Sequence, residues 1–147
     1  MPPSSEGRTG AAVEAWEALF RVQSTLLRRF AEQDVWGGLS VREYDVLYTL
    51  SRSPQGRCRL GELSADVYLP QPSLSRLVDR LARQGLLTRE ADPADGRGVV
   101  VALTADGAAL RREVGGRHAA SIARELSVLD RDELAELTRL CAKVLPA

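Results

Sequence analysis

One stretch limits the possible folds more sharply than the rest of the chain: residues 72–85, with the sequence "PSLSRLVDRLARQG". Leucines and a valine recur there at i, i+3, i+4 and i+7, the spacing of a single apolar helix face. Pro72 suits the first turn of a helix, and Gly85 suits the position just after its end. The opposite face carries serine and arginine. The stretch therefore predicts a helix with a small, polar and basic outer surface.

A two-stranded hairpin is predicted directly after this helix. Residues 86–90 and 99–103 favour strands, and the segment 91–98 between them holds the Asp, Pro and Gly residues typical of a tight turn. An arginine lies in that turn, just before the second strand. Thr104 follows that strand and is placed to cap another helix.

The complete chain predicts the order α-α-β-α-α-β-β-α-α. Ser40 with Glu43, and Asp130 with Glu133, form capping boxes that open two of the helices. The apolar face over residues 11–33 is wider than one packing partner requires, which indicates a subunit interface. Two short helices followed by a hairpin predict a winged helix-turn-helix within a mainly α fold. We predict a disordered leader (1–10), an N-terminal dimerisation helix (11–38), a winged helix-turn-helix lobe (39–103) and C-terminal dimerisation helices (104–147).

Composition excludes several classes of function. The 147 residues suffice for one domain, and the 20 basic residues balance the 20 acidic ones, so a nucleic-acid partner must be recognised from local charge. Cys58 and Cys141 lie far apart without a C-x-x-C motif, which favours a cytoplasmic setting over a disulfide framework or a zinc site. No apolar run approaches the length of a membrane span. With one histidine, no phosphate-binding loop and no metalloprotease motif, we expect neither an enzyme nor a bound cofactor.

These motifs resemble those of the MarR (multiple antibiotic resistance regulator) family of bacterial transcription regulators. The family's wing motif, D-P-x-D-x-R, then a strand and L-T-x-x-G, matches residues 92–107, and its recognition-helix motif, L-[ST]-R-x-[VL]-D-x-L, matches residues 74–81. The detailed match covers roughly residues 39–110. The resemblance implies an obligate homodimer, held by the terminal helices, that binds a palindromic operator in double-stranded DNA and usually represses nearby genes.

The resemblance also implies which residues contact DNA. Arg97 would enter the minor groove, where the negative potential is enhanced, and Asp95 would brace the wing through a salt bridge to an arginine. The alternative is that the arginines of the helix and the wing are ordinary solvated residues, and local pairing with Asp79 supports that alternative on the helix. The candidates for the major-groove surface are Gln71, Pro72, Ser73, Ser75, Arg76 and Arg80.

Family members bind small aromatic effectors between the dimer helices and the DNA-binding lobe. The candidate pocket residues are Trp16, Phe20, Tyr44, Tyr48 and His118. The alternative is that the four aromatic residues belong to the core and that His118 is a hydrogen-bonded interface histidine. Arg111 and Arg112 are interpreted as a solvated stretch. Two rival functions stay open: a thiol-based redox-sensing regulator that uses Cys58, and a winged-helix protein–protein interaction module.

Overall fold

The computed structural model describes residues 5–145, which form six helices and a small three-stranded sheet. A short 3-10 turn, Pro54–Gly56, precedes the first strand. The elements are α1 (Ser5–Ala31), α2 (Val41–Arg52), β1 (Arg57–Arg59), α3 (Leu60–Asp66), α4 (Gln71–Arg83), β2 (Leu87–Ala91), β3 (Val99–Leu103), α5 (Ala105–Glu125) and α6 (Arg131–Val144). The predicted order of helices and strands is confirmed.

The N-terminal helix is longer than the sequence predicted. Because α1 begins at Ser5, residues 5–10 are helical and not a disordered leader, and that prediction was wrong for them. The two glycines of this segment each weaken a helix by about 1 kcal/mol, but adding residues to an existing long helix needs no new nucleus. Glu6 in the first turn also interacts favourably with the helix dipole. The remaining leader positions, 1–4, lie outside the described residues.

The core lies where α2, α3 and α4 pack together against the sheet. Each helix contributes leucine or valine side chains, and those of α4 come from the face that its periodicity predicted. Full burial of such a side chain stabilises the fold by about 1.5–3 kcal/mol. The fully buried apolar side chains are Val46, Leu47, Leu50, Leu63, Leu74, Val78, Leu81, Leu87, Val101 and Val114.

The sheet is antiparallel, with strand order β1-β3-β2. Cys58 of β1 pairs with Val101 of β3, and Leu87 of β2 pairs with Leu103 of β3. The strand that leads into α5 is therefore held on both edges. This hairpin, together with α3 and α4, forms the predicted winged helix-turn-helix.

α5 begins in direct contact with the segment that follows α4. The Thr104 hydroxyl accepts the Gly107 N–H at 3.0 Å and donates to the Gly85 carbonyl at 2.7 Å, so it caps α5 as predicted. A Cβ on Gly107 would lie 1.9 Å from the Leu86 carbonyl oxygen. Only glycine fits at this close approach. The two predicted capping boxes are also formed, at the starts of α2 and α6.

The terminal helices expose large apolar side chains. On α1 these are Val13, Trp16, Leu19, Phe20, Val22 and Leu27, and on α6 they are Leu137, Leu140 and Val144. Dimerisation through these helices stays a prediction. Within residues 5–145, no helix combines the length and the apolar character needed to cross a membrane.

Candidate nucleic-acid interface

The outer face of α4 carries the predicted major-groove residues. Gln71, Pro72 and Arg76 are exposed, and Ser73 and Ser75 are half-buried beside them. No side chain caps the start of the helix at Pro70. Pro72 has no N–H, so Gln71 and Ser73 carry the first-turn N–H groups that no N-cap side chain satisfies. They lie at the positive end of the helix dipole, which is suited to a phosphate oxygen.

Two ion pairs hold α4 from neighbouring elements. The Arg80 guanidinium (Nη2) lies 2.7 Å from Glu43 Oε1 on α2. On the other flank, Arg89 Nη1 of β2 donates to Ser75 Oγ at 3.0 Å and to Asp79 Oδ1 at 2.5 Å. Local pairing between Asp79 and the arginines of its own helix, the alternative considered from the sequence, is therefore wrong.

Arg76 and Arg97 are two exposed cations that this arrangement leaves available. Neither takes part in an ion pair within residues 5–145. Arg97 lies in the wing, where its backbone N–H donates to Asp95 Oδ1 at 3.1 Å. Backbone bonds close the turn, since the Asp92 N–H reaches the Gly98 carbonyl at 2.9 Å and the Gly98 N–H reaches the Asp95 carbonyl at 2.9 Å.

The aspartate that braces the wing is Asp92 and not Asp95. Asp92 is 6% exposed, and its Oδ2 lies 2.8 Å from Arg59 Nε on β1. Its other oxygen accepts the Ala94 N–H at 2.9 Å. Asp95 is exposed and makes no salt bridge among the described residues, so the predicted brace was assigned to the wrong carboxylate. Asp95 is exposed on the turn, whereas Asp92 is buried beside Arg59 and Gly98.

A cavity of about 470 Å³ lies between α2 and α5. It brings together Tyr44, Tyr48 and His118, three of the five predicted pocket residues. Trp16 and Phe20 lie elsewhere: they contact each other on the exposed face of α1, with ring centroids 6.0 Å apart. The other residues that line the cavity are Asp45, Arg111, Arg112, Gly115, Gly116, Ala119 and Ile122.

His118 joins the terminal helices to the DNA-binding lobe through ring contacts. Its ring centroid lies 5.0 Å from that of Phe30, 4.7 Å from Trp36 and 5.7 Å from Tyr44. Burial lowers the pKa of His118 below its usual 6.5. Its Nδ1 is buried without a hydrogen-bond partner among the described residues, so the predicted hydrogen-bonded histidine is not observed.

Burial favours the neutral form of Tyr44 as well. Burial raises the pKa of the Tyr44 hydroxyl, and the positive charge of Arg111 partly offsets that increase. Interpreting Arg111 and Arg112 as merely solvated missed their place in the cavity wall. The spacing of Arg111, Gly115 and His118, at i, i+4 and i+7, could have placed them on one face of the helix.

Known proteins share this sequence and this architecture. A family model described as the MarR family matches residues 37–98. The uncharacterized HTH-type transcriptional regulator YkoM of Bacillus subtilis is 32% identical over 136 residues, which cover 89% of this chain and 86% of YkoM. This chain belongs to the MarR family.

Solved structures of other MarR family regulators have the same fold. A mutant MarR from E. coli, crystallised with operator DNA, is 27% identical with a TM-score of 0.77, and the match covers 92% of this chain and 96% of that one. The PcaV transcriptional regulator of Streptomyces coelicolor, in complex with its natural ligand, is 29% identical with a TM-score of 0.69, over 88% and 90% of the two chains. This MarR family transcriptional regulator is thus a winged-helix protein.

Cys58 of this MarR family chain lacks the features of a reactive thiol. Cys58 is half-buried on β1, and burial raises the pKa of its thiol, although a hydrogen bond with Ser53 partly opposes this. A raised pKa disfavours the thiolate, which is the form that oxidants attack. Cys141 is exposed on α6. Among residues 5–145, no three His, Cys, Asp or Glu side chains are grouped closely enough to hold a metal ion.

Proposed function

We propose that this MarR family regulator binds a palindromic operator as a homodimer in the cytoplasm and represses nearby genes. In this proposal α4 enters the major groove and the wing, residues 91–98, enters the minor groove. The observation that carries it is the presence of two exposed cations on elements joined to one sheet. Arg76 lies on α4, which is hydrogen-bonded to Arg89 of β2, and Arg97 lies in the wing between β2 and β3. Neither arginine has an ion-pair partner among the described residues, so both are available for DNA.

The chemistry of the two arginines suits different parts of the duplex. An arginine guanidinium can make a bidentate contact with guanine in the major groove. Arg76, which is exposed on the outer face of α4, is our candidate for that contact. Arg97, on a tight turn, suits a narrow minor groove with its enhanced negative potential. In a homodimer each contact occurs twice, with half-sites about one helical turn apart, ~10 bp.

Fluorescence anisotropy on the duplex upstream of the protein's own gene tests this function. Arg97→Ala is expected to weaken binding by about 1–3 kcal/mol and to reduce its salt dependence. Arg57→Ala is the matched control, because Arg57 is exposed on β1, outside α4 and the wing, has no ion-pair partner among the described residues, and its removal changes the net charge equally. If the wild-type protein binds no duplex at low salt, even after selection from a random pool, the proposal is wrong.

We further propose that a small effector occupies the cavity between α2 and α5 and releases the operator. The cavity supports this because its wall joins α2 of the DNA-binding lobe to α5, and because the related PcaV was solved with its natural ligand. A coupling of ~1–3 kcal/mol would change operator affinity by roughly 5–150-fold. A ligand that binds this cavity tightly and leaves operator affinity unchanged would contradict the proposal.

A further inference from the structure

We propose that Arg80 and Glu43 form a positioning pair that fixes the orientation of α4 on the operator, and that neither residue contacts DNA. The inference rests on the proposed function of α4. It assigns Arg80 a different role from the groove contact that the family resemblance implies.

Glu43 requires a cation where it lies. Its side chain is only 2% exposed, and it is the third residue of α2, where Oε2 accepts the Ser40 N–H at 3.1 Å. The other oxygen, Oε1, lies 2.7 Å from Arg80 Nη2. A buried carboxylate is tolerated only when it is paired and hydrogen-bonded. Turning Arg80 toward DNA would leave the Glu43 charge buried without its partner.

A second anchor holds α4 from the opposite side. Around a helix axis each residue advances by about 100°, so Arg80 lies about 40° to one side of Arg76 and Asp79 about 60° to the other. Arg80 is bound to Glu43 of α2, while Asp79 is bound to Arg89 of β2. The two ion pairs therefore resist rotation of α4 in both directions, and Arg76 lies between them.

Rotation of the helix is costly for sequence recognition. A side chain tip lies about 5 Å from the helix axis, so a rotation of about 20° moves it by about 2 Å. That displacement breaks a hydrogen bond to a base edge, for which donor and acceptor must lie within about 3.2 Å. Phosphate attraction tolerates such a shift far better, because it carries no sequence information. Removal of the pair should therefore reduce specificity more than general affinity for DNA.

The experiment measures binding of four variants to an operator duplex and to a scrambled duplex over a range of salt concentrations. Glu43→Gln removes the carboxylate charge but keeps an N3 side chain that can cap α2. Arg80→Ala removes the cation, Arg80→Lys retains it, and the fourth variant combines Glu43→Gln with Arg80→Ala. Thermal melts of every variant confirm folding before the binding data are compared.

We expect Glu43→Gln and Arg80→Ala each to weaken operator binding by about 5- to 50-fold, and the double variant to bind no more weakly than either single variant. Scrambled-duplex affinity should change by less than about twofold and the salt slope should be unchanged, since every phosphate interaction is retained. Arg80→Lys should restore most of the affinity. The two single variants change the net charge in opposite directions, so a parallel decrease cannot come from long-range electrostatics.

A direct interaction between Arg80 and DNA would give a different pattern. Glu43→Gln would then free Arg80 and leave operator binding unchanged or tighter, and Arg80→Ala would lower the salt slope by about one for each phosphate that Arg80 had neutralised. Either result overturns the positioning role. If the wild-type protein itself fails to bind any duplex, the proposed function fails instead, and the two failures are thereby distinguished.

Discussion

Removal of the Arg59 side chain tests the bracing of the wing most directly. The Arg59→Ala variant leaves Asp92, which is 6% exposed, with its Ala94 hydrogen bond but without a cation. Breaking a buried ion pair costs about 3–5 kcal/mol, and an exposed pair contributes about 0–1 kcal/mol. Because the Arg59 side chain is 56% exposed, water replaces part of the broken interaction. We expect a decrease of about 1–2 kcal/mol in the free energy of unfolding.

Arg57 provides a matched control on the same strand. It lies two positions before Arg59 on the same face of β1, is exposed, and has no ion-pair partner among the described residues. Arg57→Ala should therefore change the unfolding free energy by less than about 0.5 kcal/mol. Urea unfolding at one fixed protein concentration gives both values, because the stability of a dimer depends on concentration.

Amide hydrogen exchange identifies where the destabilisation occurs. The N–H groups of Asp92 and Gly98 close the wing turn on backbone carbonyls, at 2.9 Å each. Their exchange should accelerate in Arg59→Ala and stay unchanged in Arg57→Ala, since local opening follows removal of the brace. Equal destabilisation by both variants, or unchanged wing exchange in Arg59→Ala, would refute the assignment of Asp92 as the brace.

Three further predictions concern α5 and the cysteines. Gly107→Ala should destabilise the protein by about 3 kcal/mol, because the new Cβ would lie 1.9 Å from a backbone carbonyl oxygen. Gly116→Ala, where a Cβ would meet nothing within 4 Å, should stabilise α5 by about 0.5–1 kcal/mol. Equal shifts in the melting temperatures of the two variants would contradict this. Burial lowers the pKa of His118, so the unfolded chain binds the proton more readily than the folded one, and the free energy of unfolding should fall as pH decreases below about 6.5. His118→Phe should flatten this part of the plot of unfolding free energy against pH. An unaltered plot would count against a role for His118. Iodoacetamide should modify Cys141 faster than Cys58, and mild oxidation should leave operator binding intact. If oxidation abolishes operator binding in the wild type but not in Cys58→Ser, the redox-sensing alternative is supported.

Local signals in the sequence were sufficient for the elements of the DNA-binding lobe. Pro72 and Gly85 bounded α4 to within a residue or two, and residues 99–103 became β3 as predicted. These predictions succeeded because caps, turns and periodicity act over a few residues. The prediction of a disordered leader was wrong for residues 5–10, because two glycines weaken a helix without ending it when a long helical segment follows.

The partners of the charged residues could not be predicted in the same way. The wing sequence offers two aspartates, Asp92 and Asp95, and only their different burial shows which one pairs with Arg59. The partner of Arg80 is Glu43, which lies on another helix and is distant in sequence. Periodicity indicates only that Arg80 lies on the outer face of α4, so it does not reveal this ion pair. Periodicity likewise places an aromatic residue on a helix face but does not say what covers that face, which is why Trp16 was grouped wrongly with the cavity residues.

The close approach at Gly107 has a mechanical consequence. β3 and α5 form one nearly continuous segment, with the wing at one end and the residues that line the cavity at the other. β3 is the middle strand, so it cannot slide without shearing hydrogen bonds on both sides, and the Leu86 carbonyl leaves the start of α5 no free space. Residues 104–107, between β3 and α5, are the closely packed junction of this segment. We therefore expect a change in the tilt of α5 beside the cavity to reach β3 and the wing that β3 supports, because the close packing at Gly107 leaves no room for a local adjustment.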